Sequence, residues 1–219
     1  VSFLRNQVVT FPRNRWSVCA EIRWSISANS PLEEEKILSR KLLESSDIEQ
    51  TDILDFIEFP DTIRYDDKNY INLSISFPNH FLFKRFRERT LDLPHINWCV
   101  LKINPKYIYC TNTLFSVTNA ASSIAKNLYG ISGDLSKFKQ LFDDNITSKS
   151  GVIPRGILNK KYPTDVQAEV LVKDEILVSD VLSICFKDEE SLASGKASLS
   201  GYDTSKFVID SSVFSNLRT

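Results

Sequence analysis

The 219-residue chain contains no methionine and only two histidines, His80 and His95. Its four cysteines (Cys19, Cys99, Cys110 and Cys185) are widely and irregularly spaced, with no Cys-x-x-Cys pair. That spacing argues against a zinc site, so no metal is expected, and scattered reduced thiols in a cytoplasmic protein are the default reading. An excess of one charge is also missing. With 27 basic and 28 acidic residues the net charge is −1, so no global positive field marks a nucleic-acid binder and any such surface must be local. No apolar run reaches the length of a membrane span, and no secretory leader pattern opens the chain. The missing methionine and the start at Val1 are read as the mark of a fragment or a processed form. The pattern is weakest over residues 1–34.

What is present is ordinary for a globular protein. Hydrophobic residues are 42% and charged residues 25%, enough to bury a real core in one domain spanning 1–219. Short strands are expected at Val8–Thr10 and Glu21–Ser27. Asn29-Ser30-Pro31 followed by Glu33, Glu34 and Glu35 predicts a helix running through Ile37 and Leu42 to about Ser45. Period-two apolar positions predict a strand over Asn69–Phe77, then a helix with Phe81, Leu82 and Phe86 inward. Further strands are expected at Trp98–Ile103, Thr113–Val117, Val166–Val172 and Val178–Phe186, with Lys106–Tyr109 extended. Helices are expected at Asn119–Asn127 and Leu135–Phe142. Asp143–Lys161 is polar and reads as an exposed, mobile loop, and Phe207–Ile209 is a last candidate strand. Strands and helices in mixed order predict an α+β fold.

Three segments carry candidate chemistry. The first is Asn72-x-Ser74-x-Ser76-Phe77-Pro78-Asn79, the second Thr118-Asn119-Ala120-Ala121-Ser122-Ser123, and the third Tyr162-Pro163-Thr164-Asp165-x-Gln167-Ala168-Glu169. In this order they resemble the DarT family of DNA-modifying toxins, within the ADP-ribosyltransferase superfamily, over about residues 60–186. The resemblance implies a single α+β domain with a central split β-sheet and an NAD cleft. It implies transfer of ADP-ribose from NAD onto a base of single-stranded DNA, with no metal. It also implies a macrodomain antitoxin as partner. The same chemistry on RNA or on a protein remains open, as does an inert nucleic-acid-binding module.

The reaction explains why a single carboxylate suffices. Nicotinamide leaves NAD neutral, so no general acid is needed. One carboxylate beside the ribose can stabilise the oxocarbenium-like transition state. Glu169, at the start of the apolar run Val170-Leu171-Val172, takes that role by resemblance; by pattern alone it would be a solvated strand residue. Gln167, two positions earlier and so on the same face of a strand, is the candidate acceptor-facing amide, or else a loop anchor. Ser74 and Ser76 would share a polar face toward the nicotinamide ribose, or simply alternate on a half-exposed strand.

Lys84, Arg85 and Arg87 are interleaved with Phe81, Phe83 and Phe86, a composition that suits phosphates and bases of a single strand. It equally describes an amphipathic helix with solvated charges. Asn119 is a candidate substrate contact at a helix start, or an ordinary N-cap. The early NAD-gripping histidine of the family has no counterpart, since His80 and His95 come too late. Arg23, Arg40 and Arg64 are the substitutes, and Arg64, shortly before the Ser74 strand, is placed in that role.

Overall fold

The computed structural model describes residues 7–9, 18–20, 36–39, 41–42, 69–89, 91–92, 97–198, 203–215 and 218. Its strands are β1 (Gln7–Val9), β2 (Val18–Ala20), β3 (Lys36–Leu38), β4 (Tyr70–Ile75), β5 (Cys99–Ile103), β6 (Leu114–Ser116), β7 (Asn145–Ser148), β8 (Gly151–Pro154), β9 (Glu169–Lys173), β10 (Glu175–Leu177), β11 (Val181–Phe186) and β12 (Phe207–Ile209). The α-helices are α1 (His80–Arg89), α2 (Leu135–Gln140) and α3 (Glu189–Ser198).

Two four-stranded sheets organise these elements into an α+β fold, in the orders β2-β4-β9-β6 and β1-β5-β11-β12. The first is antiparallel throughout. In the second, β1 and β12 run parallel to their neighbours while β5 and β11 pair antiparallel. Side chains alternate across a strand, and both sheets use this to share one core. Ile71, Leu73 and Ile75 of β4 and Val170 and Val172 of β9 cluster with Cys99, Leu101 and Ile103 of β5 and Ile184 and Phe186 of β11. The intervening residues Val100 and Cys185 face the other way, where Phe83 and Phe86 of α1, Trp98, Val213 and Phe214 cover them. Burial pushes both buried thiols, Cys99 and Cys185, to higher pKa. They are inert packing groups.

Several local expectations give way to tertiary pairing. Lys36–Leu38 lies in the expected first helix yet is a strand, antiparallel to β10 with Ile37 opposite Ile176. Ile37 is fully buried, and Lys36 pairs with Glu175 at 3.1 Å. Cap signals at Asn29–Pro31 lie outside the described residues, as does Glu21–Ser27. Lys106–Tyr109 is not extended: Pro105–Tyr109 forms a 3₁₀ helix, and Asn104 Oδ1 accepts the Lys106 N–H at 3.0 Å. Proline at the first position and a polar cap are helix-start signals, and they prevail here over the extended reading. Val178–Asp180 is likewise a 3₁₀ turn before β11. The loop expected over 143–161 is in part a hairpin of β7 and β8, in register Ile146↔Ile153, whose Ile146 anchors it in the core. In α1 the buried aromatics are Phe83 and Phe86, and Phe81 is exposed.

Candidate functional site

Glu169 opens β9 with a neighbour on each side: Ser74 of β4 and Ser116 of β6 are its cross-strand partners. Directly opposed residues place their side chains on one face, so the carboxylate is flanked by two small hydroxyls. All three residues are buried. The backbone N–H of Ala120 donates to Glu169 Oε2 at 2.8 Å. A backbone donor on a buried carboxylate fixes its direction. Ser116 Oγ donates to the Thr118 carbonyl at 2.7 Å, which ties the end of β6 to the turn that carries Ala120. Among the described residues the Ser74 hydroxyl has no protein partner, so it is available to a ribose hydroxyl.

A second carboxylate holds the surrounding turns. Asp165 is 1% exposed. Its Oδ2 accepts the Thr118 hydroxyl at 2.6 Å and its Oδ1 accepts the Gln167 N–H at 2.9 Å. Burial pushes the Asp165 carboxyl above the usual range, opposed by these two hydrogen bonds and by the nearby Arg218 charge. Arg218 itself donates to the Pro163 carbonyl at 2.7 Å and to the Thr164 carbonyl at 3.3 Å. Asp165 therefore joins the turn that clamps Glu169 to the turn that presents Gln167. From sequence Thr118 is only an alternative N-cap beside Asn119, and Asp165 carries no role. Their contact spans 47 positions along the chain.

The expected site residues are dispersed differently from the strand pattern. Ser76 does not share a strand face with Ser74. β4 ends at Ile75, and Ser76 has φ of 63°, in the left-handed region that costs a non-glycine residue energy. Its Oγ donates to the Lys161 carbonyl at 2.5 Å, so it anchors the 143–161 segment beside the site. Gln167 does not share a pleated strand with Glu169 either. It lies in the turn before β9, partly exposed, and its side-chain amide has no partner among the described residues. The Asn119 side chain caps the turn through its Oδ1, which accepts the Ala121 N–H at 2.9 Å. The expected helix there is a turn followed by a π-helical segment, Ala125–Tyr129.

The three basic residues of α1 part company. Lys84 and Arg85 are exposed, and Lys84 pairs with Glu88 at 3.7 Å. Arg87 is half-buried, donates to the Phe214 carbonyl at 3.1 Å and stands 4.7 Å above the Phe83 ring. It clasps α1 to the 211–214 turn. Arg64 lies outside the described residues, as do Arg23, Arg40 and His95. Among the described residues no group of three or more His, Cys, Asp or Glu side chains could hold a metal ion, and no helix is long and apolar enough to cross a membrane.

Comparison with known proteins agrees with the resemblance. The family model described as ssDNA thymidine ADP-ribosyltransferase, DarT, matches residues 27–214. Among solved structures, Thermus sp. 2.9 DarT in complex with carba-NAD+ aligns at 11% identity with a TM-score of 0.46. The alignment covers 68% of this chain and 74% of that one. No curated protein sequence matches.

Proposed function

Since the chain belongs to the DarT family and is an ADP-ribosyltransferase, we propose that it transfers ADP-ribose from NAD onto a thymidine base of single-stranded DNA. The observation that carries the reading is the Glu169 carboxylate, buried between Ser74 and Ser116 and held by the Ala120 N–H. The bond that breaks joins the anomeric carbon of the ribose to the nicotinamide nitrogen, the bond that forms joins that carbon to the base, and the proton the base gives up passes to solvent. The pyrophosphate stays intact, so this is pentosyl and not nucleotidyl transfer. Glu169 supplies negative charge where the ribose becomes cationic, in a buried setting where such charge acts strongly. Ser74 is assigned to the ribose and Gln167 to the acceptor base, whose donor and acceptor edge an amide can match. Ser76 acts through the loop it anchors. A basic group still has to meet the NAD pyrophosphate, and Arg64 keeps that assignment. A macrodomain antitoxin that removes the modification is the partner this reading implies.

The test is incubation of the purified chain with NAD labelled in the adenylate and separate pools of single-stranded DNA, duplex DNA, RNA and protein. Label should enter single-stranded DNA. Label entering only RNA or only protein would reassign the acceptor, and no label in any pool would leave a binding module.

A further inference from the structure

The 135–161 segment holds six cations (Lys137, Lys139, Lys149, Arg155, Lys160 and Lys161) against two carboxylates, Asp143 and Asp144. In a chain of net charge −1 this is a concentrated local positive field. Part of it surrounds a pocket of about 400 Å³ lined by Phe138, Lys139, Phe142, Arg155 and Lys160. Phe138 and Phe142, four positions apart, stand edge to face at 5.7 Å, and the Arg155 guanidinium lies 5.6 Å from the Phe142 ring centre. Arg155 is fixed by three oxygens, the Tyr162 carbonyl at 3.0 Å, the Thr164 hydroxyl at 3.1 Å and the Asn159 carbonyl at 3.2 Å. None of them is a carboxylate, so its charge is oriented without being cancelled. Lys139 and Lys160 are exposed and form no ion pair among the described residues.

Resting on the reading of the chain as a single-stranded DNA modifier, we propose that this pocket binds a nucleotide of the acceptor strand flanking the modified base. Aromatic side chains beside unneutralised cations provide the two interactions that a single strand offers, base stacking and phosphate neutralisation. The volume is at the small end of ligand sites, which suits one nucleotide. The pocket is tied to the site. Arg155 grips Tyr162 and Thr164, the start of the same turn that leads through Asp165 to Gln167 and Glu169. A nucleotide held there restrains the strand next to the residue assigned to its target base.

The test is equilibrium binding of a fluorescein-labelled single-stranded DNA of about twelve mixed-sequence nucleotides, followed by anisotropy from about 50 to 200 mM salt. The chain is compared with Lys139→Gln/Lys160→Gln and with Lys187→Gln/Lys196→Gln, a control of equal charge loss at and near α3. Thermal midpoints confirm that each is folded. The pocket variant should bind about tenfold more weakly at low salt, and its slope of log affinity against log salt should be shallower by about 1.4, or 0.7 per lost phosphate contact. The control should match the wild type. A pocket variant indistinguishable from the control would overturn the proposal while leaving the DNA reading standing. Displacement of the strand from the wild type by NAD, lost in the pocket variant, would assign the pocket to the donor and also overturn it. Failure of the wild type to bind the strand at all would remove the DNA reading and the pocket together.

Discussion

The Ala120 N–H and the Glu169 carboxylate lie 49 positions apart in the chain and 2.8 Å apart in space. That bond couples the carboxylate to the turn at 118–121. Because Thr118 of the same turn donates to Asp165 at 2.6 Å, the aim of Glu169 depends on a second, deeply buried acid.

Asp165 should accordingly matter to both stability and rate. Asp165→Ala strands the Thr118 hydroxyl and the Gln167 N–H, and hydrogen bonds to a charged group contribute about 1.5–3 kcal/mol each, so a loss of about 3 kcal/mol in unfolding free energy is expected. The pH dependence has a definite sign. Burial raises the folded-state pKa of Asp165, so over the interval above the ordinary carboxylate range the native state holds a proton that the unfolded chain has released. Stability contributed by this group is full at acid pH and is lost as pH rises through the raised value. Thermal midpoints of wild type and Asp165→Asn across acid to neutral pH should therefore show the wild-type advantage shrinking as pH rises. An advantage that grows with pH would mean that Thr118, Gln167 and Arg218 outweigh burial.

Ser74 and Ser76 should separate cleanly. Ser74→Ala removes a hydroxyl without a protein partner among the described residues, so the KM for NAD should rise by roughly tenfold, the equivalent of about one hydrogen bond, at an unchanged thermal midpoint. Ser76→Ala removes the bond to the Lys161 carbonyl and should lower stability by about 1 kcal/mol. Steady-state kinetics in NAD together with chemical denaturation of both variants check this. A KM effect confined to Ser76→Ala would reverse the assignment.

The proposed assignment has Gln167 act on the acceptor. Gln167→Ala should impair incorporation of ADP-ribose into DNA far more than it slows release of nicotinamide to water, which requires no oriented base. Gln167→Glu should be worse than alanine on DNA, because the added negative charge repels phosphate. Paired assays with and without DNA decide the matter. Equal losses in both for Gln167→Ala would make it a support of the donor site or the turn.

In the three segments the residue types and their order are legible in the sequence, and their geometry is not. Glu169 at a strand entry was read from the apolar run after it, and the strand begins there. The serines were read by strand alternation, which fails at Ser76 because a positive φ ends the pleat one residue too soon. Gln167 failed for a similar reason, since Asp165 folds the chain into a turn through the Gln167 N–H. Arg87 looked like its neighbours Lys84 and Arg85, but the Phe214 carbonyl that claims it lies 127 positions away. The strand at Lys36–Leu38 was hidden by good helix signals because its partner, β10, is equally remote. Residue types are legible in the sequence, whereas both remote contacts and local turns redirect side chains away from the strand pattern.

The most direct measurement is the rate of ADP-ribose incorporation into single-stranded DNA by Glu169→Gln, with folding checked by thermal denaturation. Glutamine keeps an acceptor for the Ala120 N–H and a similar shape, while it removes the charge and turns one acceptor oxygen into a donor. Transfer should fall by about 10²–10³-fold or more, the scale seen when one preorganised electrostatic partner of a transition state is lost, and nicotinamide release without DNA should fall with it. A folded Glu169→Gln enzyme that labels DNA at close to the wild-type rate would contradict the assignment of Glu169 as the charge that stabilises the transition state.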